Sequence, residues 1–309
     1  LLTSSPAPNQ LIDTEVRITI AHGRDRRKTA MRSWNAVAAR RRWPSMGLTI
    51  GAGPLSAHAP KEINYRLDGP AHKLLRHPFP RRIRAEFAGR TVLDSQRAVL
   101  LHETALPPRL YVPEADLDAG AFVLSDHRTH CPFKGDATYH TLRVAGREVE
   151  NALWAYPDPI GEASWLAGYA SLYWSAADAW YDEDEQIHGL TDPFHRIDVR
   201  AARRHVGVLA GDTVIAESRA PLVLSETGLP NRYYLAADEV RVPLQATATG
   251  THCPYKGDAR YWTVRMPDGR ELADAVWSYP QPLPEAGRIA GRVSFGHDEL
   301  RVLVDGAPG

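Results

Sequence analysis

The chain has 309 residues, 43% of them hydrophobic, with 37 Lys and Arg against 37 Asp and Glu and two cysteines. This length supports two hydrophobic cores, the cysteine count leaves no disulfide framework, and no apolar run reaches the roughly 20 residues of a transmembrane helix. Charge is unevenly spread: residues 1–60 carry nine basic and three acidic side chains, leaving a mildly acidic body poorly suited to gripping a phosphate backbone. The amino terminus also lacks the charged-then-apolar order of a secretory signal, so a cytoplasmic protein with reduced thiols and no membrane partner is expected.

Residues 1–60, with Arg24, Arg26, Arg27, Lys28, Arg32 and Arg40 to Arg42, show no sustained period and are predicted to form a disordered basic extension. Its charge suits nucleic acid or an anionic membrane surface, and a weakly structured leader is the plainer reading. Residues 61–80 form a lead-in punctuated by Asp68-Gly69-Pro70 and His77-Pro78-Phe79-Pro80. Regular alternation begins at Arg82–Phe87, turns at Ala88-Gly89-Arg90 and resumes at Thr91–Asp94, which predicts a hairpin. Val206–Leu209, Ala210-Gly211-Asp212 and Thr213–Ala216 repeat that design.

A duplication organises the rest. Thr129-His130-Cys131-Pro132-Phe133-Lys134-Gly135-Asp136-Ala137 returns as Thr251-His252-Cys253-Pro254-Tyr255-Lys256-Gly257-Asp258-Ala259, displaced by 122 residues. Upstream, Glu103-Thr104, Leu106-Pro107, Arg109 and Tyr111 match Glu226-Thr227, Leu229-Pro230, Arg232 and Tyr234; downstream, Trp154, Tyr156-Pro157 and Gly168 match Trp277, Tyr279-Pro280 and Gly291. The predicted strand after each motif places Tyr139, Thr141 and Arg143 on one face, with Tyr261, Thr263 and Arg265 in the second copy, and leaves the other face for a core. Gly146 and Asp268-Gly269 then mark turns. The acidic stretch within residues 175–202 reads as a solvated inter-repeat segment, and Glu299–Gly306 as a final strand. Helical period is scarce from 81 onward, so the predicted fold is mainly β: two tandem antiparallel-sheet domains over 81–174 and 203–306.

The candidate chemistry sits in the motif. Cys131 and Cys253 have His130 and His252 beside them and Lys134 and Lys256 three positions on, and a neighbouring cation lowers a thiol pKa and makes a better nucleophile. Adjacent residues on an extended strand face opposite ways, so His–Cys cooperation requires a turn there; the alternative is a buried core thiol. Lys-Gly-Asp is not a phosphate-binding loop, which needs a longer glycine-rich turn opening a helix. Each copy offers one Cys beside one His, without CxxC, HxxxH or HExxH spacing, so no metal and no cofactor are expected. Tyr111, Tyr139, Trp154 and Tyr156, with Tyr234, Tyr261, Trp277 and Tyr279, either line a small-molecule cleft or make the core. Glu103 with Arg109, and Glu226 with Arg232, form a local clamp across a Leu-Pro turn or supply a carboxylate for acid–base work.

These motifs, Arg-Ala…Glu-Thr…Leu-Pro…Arg-x-Tyr, Thr-His-Cys-Pro-[Phe/Tyr]-Lys-Gly-Asp-Ala-x-Tyr and Trp-x-Tyr-Pro, resemble the bacterial family called domain of unknown function 427, in tandem over roughly 81–306. Asp192-Pro193-Phe194-His195-Arg196 is similar to that family's inter-repeat sequence. The resemblance implies a β-tent-like fold, two antiparallel sheets meeting at an angle, without the paired CxxC zinc ligands of related domains. A nucleotidyltransferase-like name attaches to the family, and the sequence offers no carboxylate pair of the kind such chemistry needs. The expected function is binding of an unidentified polar or anionic small molecule, extending to catalysis through Cys, His, Lys and Arg. A protein-interaction platform is the alternative, and nucleic-acid association through the tail a third.

Overall fold

The computed structural model describes residues 48–50, 53–57, 64 and 69–309. They form two compact units: Phe79–Val99 with Tyr111–Glu185, and Leu100–Leu110 with Gln186–Gly309 and the described residues between 48 and 78. Strands of the first repeat are β1 (Leu74–Pro78), β2 (Ile83–Phe87), β3 (Arg90–Ser95), β4 (Val99–Glu103), β5 (Leu106–Pro113), β6 (Phe122–Cys131), β7 (Gly135–Val144), β8 (Arg147–Ala155), β9 (Tyr169–Leu172), β10 (Ala179–Asp182) and β11 (Glu185–Ile187). Those of the second are β12 (Ile197–Ala201), β13 (Val206–Ala210), β14 (Thr213–Ser218), β15 (Leu222–Glu226), β16 (Arg232–Ala236), β17 (Leu244–Cys253), β18 (Gly257–Arg265), β19 (Glu271–Ser278), β20 (Arg292–Phe295), β21 (Leu300–Val304) and β22 (Ala307–Pro308). Among the described residues no helix is long and apolar enough to cross a membrane.

The topology is duplicated strand for strand. A seven-stranded sheet runs β1-β4-β5-β9-β8-β7-β6 and its counterpart β12-β15-β16-β20-β19-β18-β17; a four-stranded sheet runs β11-β10-β2-β3 and its counterpart β22-β21-β13-β14. Adding eleven to each first-repeat strand number gives the second repeat. The reason is local sequence: Ile83, Ala85 and Phe87 alternate with half-buried Arg84 and Glu86, and Val206, Val208 and Ala210 hold the same inward positions in β13. In the second repeat, those β13 side chains meet Ile215, Leu235, Val264, Leu272, Val276 and Phe295 in one core between its two sheets. Burial at roughly 25 cal/mol per Å2 of apolar surface supplies the main force joining the sheets.

Three expectations change. The stretch 175–202 is not a linker: Trp180 pairs with Ala85 and Ile197 with Glu226, because Trp180 and Val199 are buried and bring their strands with them. Its acidic run is ordered by arginines, Arg81 binding Asp182 and Arg84 binding Asp184. Of residues 1–60, those described are docked: Ala105 N–H donates to Thr49 O at 2.9 Å and Thr104 Oγ1 to Leu55 O at 3.2 Å, with Thr49 buried. The rest of that extension lies outside the described residues. Finally, Tyr139 and Thr141 are buried as well as Leu142 and Val144, because β7 is covered on both faces; Arg143 alone of the predicted polar face is exposed.

Candidate functional site

Each thiol-bearing segment is the tip of a hairpin. Cys131 pairs with Gly135 and Cys253 with Gly257 across a three-residue turn, closed by the Lys134 and Lys256 N–H groups donating to the cysteine carbonyls at 3.2 Å. Gly135 and Gly257 sit at φ +97° and +93°, and a Cβ there would come within 3.2 Å of the Asp158 and Gln281 carbonyl oxygens. Backbone bonds from Ile160 N–H to Lys134 O and from Leu283 N–H to Lys256 O fix the turn against the following loop. That anchoring turns both lysines inward, and both are buried.

The histidines go elsewhere. His130 and His252 face Asp136 and Asp258 across their hairpins, with Nδ1 to Oδ1 distances of 2.6 and 2.8 Å. The His252 Nε2 is buried without a hydrogen-bond partner, so it is not bonded to Cys253. Both cysteines are free and half-buried.

Lys256 instead reaches Glu226, its Nζ 2.5 Å from Oε2, while His195 Nε2 stands 3.0 Å from Oε1. The register of β12 against β15, Ile197 opposite Glu226, brings His195 from outside the motif to the carboxylate. Burial alone would raise the Glu226 pKa; the His195 hydrogen bond and the Lys256 charge outweigh it and hold the carboxyl below its ordinary value. Both carboxylate oxygens are thus engaged by His195 and Lys256, where a clamp to Arg232 was expected. The Arg232 guanidinium lies over the Trp277 ring, 5.8 Å from its centre.

Tyrosines surround this group. The Tyr255 ring lies 4.2 Å from that of His195, its OH accepts the Asp192 N–H at 2.7 Å, and burial pushes its pKa up to about 12. Burial likewise raises the Tyr234 and Tyr279 hydroxyls, with the Cys253 thiol close enough to add to both. All three phenols stay protonated at neutral pH. Tyr234 and Tyr279 pack with Leu222, Leu224 and Ile289, and Cys253, Tyr261 and Trp277 border that cluster half-buried. A cavity of about 30 Å3 in this repeat has a different lining, including Val206, Tyr233, Ser294 and Phe295.

In the first repeat, Glu103 pairs with His72 at 3.1 Å, and Lys134 Nζ lies 5.7 Å from the centre of the Tyr156 ring. Trp154 Nε1–H donates to Tyr111 OH at 3.0 Å, and Tyr139 OH lies 3.0 Å from Thr129 Oγ1, as Tyr261 OH lies 2.9 Å from Thr251 Oγ1. Arg109 is exposed. The motif reading omitted His72 and His195. Their signal was present: Pro70-x-His72 and Pro193-x-His195 are offset by 123 residues, the same displacement as Glu103 and Glu226. Among the described residues no group of three or more His, Cys, Asp or Glu side chains is arranged to hold a metal ion.

Comparison with known families gives a match to the model of a domain of unknown function (DUF427), over residues 76–183 and again over residues 198–306. Among curated proteins, none matches the chain.

Proposed function

We infer, from the premise that the chain belongs to the DUF427 family and carries two of its domains in tandem, that the second domain binds a small polar or anionic metabolite at Lys256, Glu226 and His195. The observation supporting this is the burial of one ionised carboxylate between two nitrogen bases, at 2.5 and 3.0 Å, beside a thiol and three protonated tyrosines. A buried ion pair is costly to desolvate and is weak support for stability by itself. Such groups gather where ligands are held and protons moved.

The arrangement suits an anionic or hydrogen-bonding group. Lys256 has three N–H donors and directs one to Glu226. Protonation of His195 leaves two positive charges on one negative charge, and the surplus attracts an anion. Tyr255 borders the same group and is half-exposed, which gives it a route to solvent.

Native mass spectrometry on protein isolated without added ligand tests the reading. A retained small molecule is expected in the wild type and its loss in Lys256→Met. An adduct-free wild type whose melting temperature is also unmoved by a panel of anionic metabolites would remove the reading.

A further inference from the structure

We propose that the second repeat binds a planar, negatively charged group on Trp277 beside Arg232, in the place that Tyr173 fills in the first repeat. This rests on the metabolite-binding reading above and deepens it, by assigning the repeat and the chemistry of one end of the ligand.

The two repeats present the same tryptophan differently. In the first, Tyr173 lies against Trp154 with ring centres 4.5 Å apart at 45°, and Trp154 is 8% exposed. Tyr139, on the neighbouring strand and opposite Trp154, is also buried. The second repeat has Gly296 where the first has Tyr173. There Trp277 and the opposing Tyr261 are both half-exposed, and the Arg232 guanidinium lies 5.8 Å from the Trp277 ring centre. The counterpart of Arg232, Arg109, is solvent-exposed.

Tyr173 therefore acts as a built-in occupant: an aromatic ring of this chain shows what fits against that tryptophan in this fold. With glycine in its place, the second repeat keeps the aromatic surface and loses the ring that covers it. Offset stacking of an aromatic pair contributes roughly 0.5–1.5 kcal/mol beyond area burial. A guanidinium beside the ring adds a partner for carboxylate or phosphate, in a geometry that favours planar anions. Gly296 has ordinary backbone geometry, so a side chain is excluded there by space: its Cβ would come 2.9 Å from Trp277 Cζ3. The Trp277 ring thus leans into the room that the missing side chain leaves.

Isothermal titration of the full chain with 2-naphthoate, against cyclohexanecarboxylate as a non-planar control, tests this. The wild type should take up one equivalent of 2-naphthoate saturably and bind the control at least about tenfold more weakly, roughly the 1.4 kcal/mol of one good stacking contact. Gly296→Tyr should abolish binding while its melting temperature shows it folded, and Arg232→Met should weaken it by about tenfold. Should Gly296→Tyr fail to fold, the wild-type Trp277 indole resonance, assigned with Trp277→Phe, decides: it moves on titration if the proposal is right. No saturable uptake, or uptake unchanged in folded Gly296→Tyr, overturns the proposal. If 2-naphthoate fails while a metabolite is still retained and lost in Lys256→Met, this inference falls and the metabolite-binding reading stands. If neither binds, both fall.

Discussion

Lys256 and Glu226 form a buried ion pair in the second repeat, 2.5 Å apart with side chains 10% and 11% exposed. Removing one partner strands the other charge in a low-dielectric setting, which costs about 3 kcal/mol or more. Lys256→Met and Glu226→Gln should therefore each lower unfolding free energy by that order in urea titrations. The double variant should lie well above the sum of the two losses, because no charge is left stranded. Additive losses would show that the pair does not act as a unit.

The same carboxylate sets an acid limb. Its folded pKa is depressed, so its stabilising contribution is complete above the ordinary carboxylate value and is lost as pH falls through the folded value. The wild type should lose stability below about pH 4.5 more steeply than Glu226→Gln, which has no carboxylate to protonate there. Urea midpoints taken from neutral pH to about pH 3 give the comparison, and parallel curves would contradict the assigned shift.

Much of this architecture was legible because its signals are local. The repeated Thr-His-Cys-Pro turn, the alternation of Ile83, Ala85 and Phe87, and the glycine turns each act within a few residues, and these segments form strands and hairpins as read. The partner of Glu226 was not legible, because His195 arrives through strand pairing 31 residues away in sequence. Arg232 seemed the natural mate since only a short turn separates it from Glu226, yet sequence distance does not say that Lys256 will be turned inward. That outcome depends on Gly257 and on the Leu283 amide, two features of the tertiary anchoring. Similarly, Trp180 and Val199 are too sparse a pattern to show that residues 175–202 complete the sheets.

Gly257→Ala tests that anchoring. At φ +93° an L-residue is strained, and the added methyl would come within 3.2 Å of the Gln281 carbonyl oxygen, a backbone atom that cannot swing aside. Backbone strain of this kind costs about 1–3 kcal/mol. Gly269→Ala, also at positive φ but with open space around its Cβ, should lose less. Beyond stability, Gly257→Ala should disturb the Lys256–Glu226 pair, read as a change in the Glu226 carboxyl shift by NMR. Equal losses for the two glycines would mean that the contact with residue 281 carries no weight.

His102 provides a second, separable pH response. It is fully buried, with neither ring nitrogen hydrogen-bonded, and its ring packs 5.9 Å from His77 and 5.3 Å from Phe194. Burial lowers its pKa most strongly; Asp192 pulls the other way and His77 adds to the lowering. The unfolded chain therefore takes up a proton at this site before the folded chain does. Stability is complete above the ordinary histidine value of about 6.5 and declines as pH falls from there toward the depressed folded value. His102→Phe keeps a ring of similar size against Phe194 and His77 and removes the titration. Relative to wild type it should gain stability progressively below about pH 6.5 and show a constant difference above about pH 7.5, well clear of the window set by Glu226. Melting temperatures of the two proteins from about pH 5 to 8 supply the measurement, and a difference that does not change with pH would mean that His102 is charged as readily in the folded protein as in the unfolded chain.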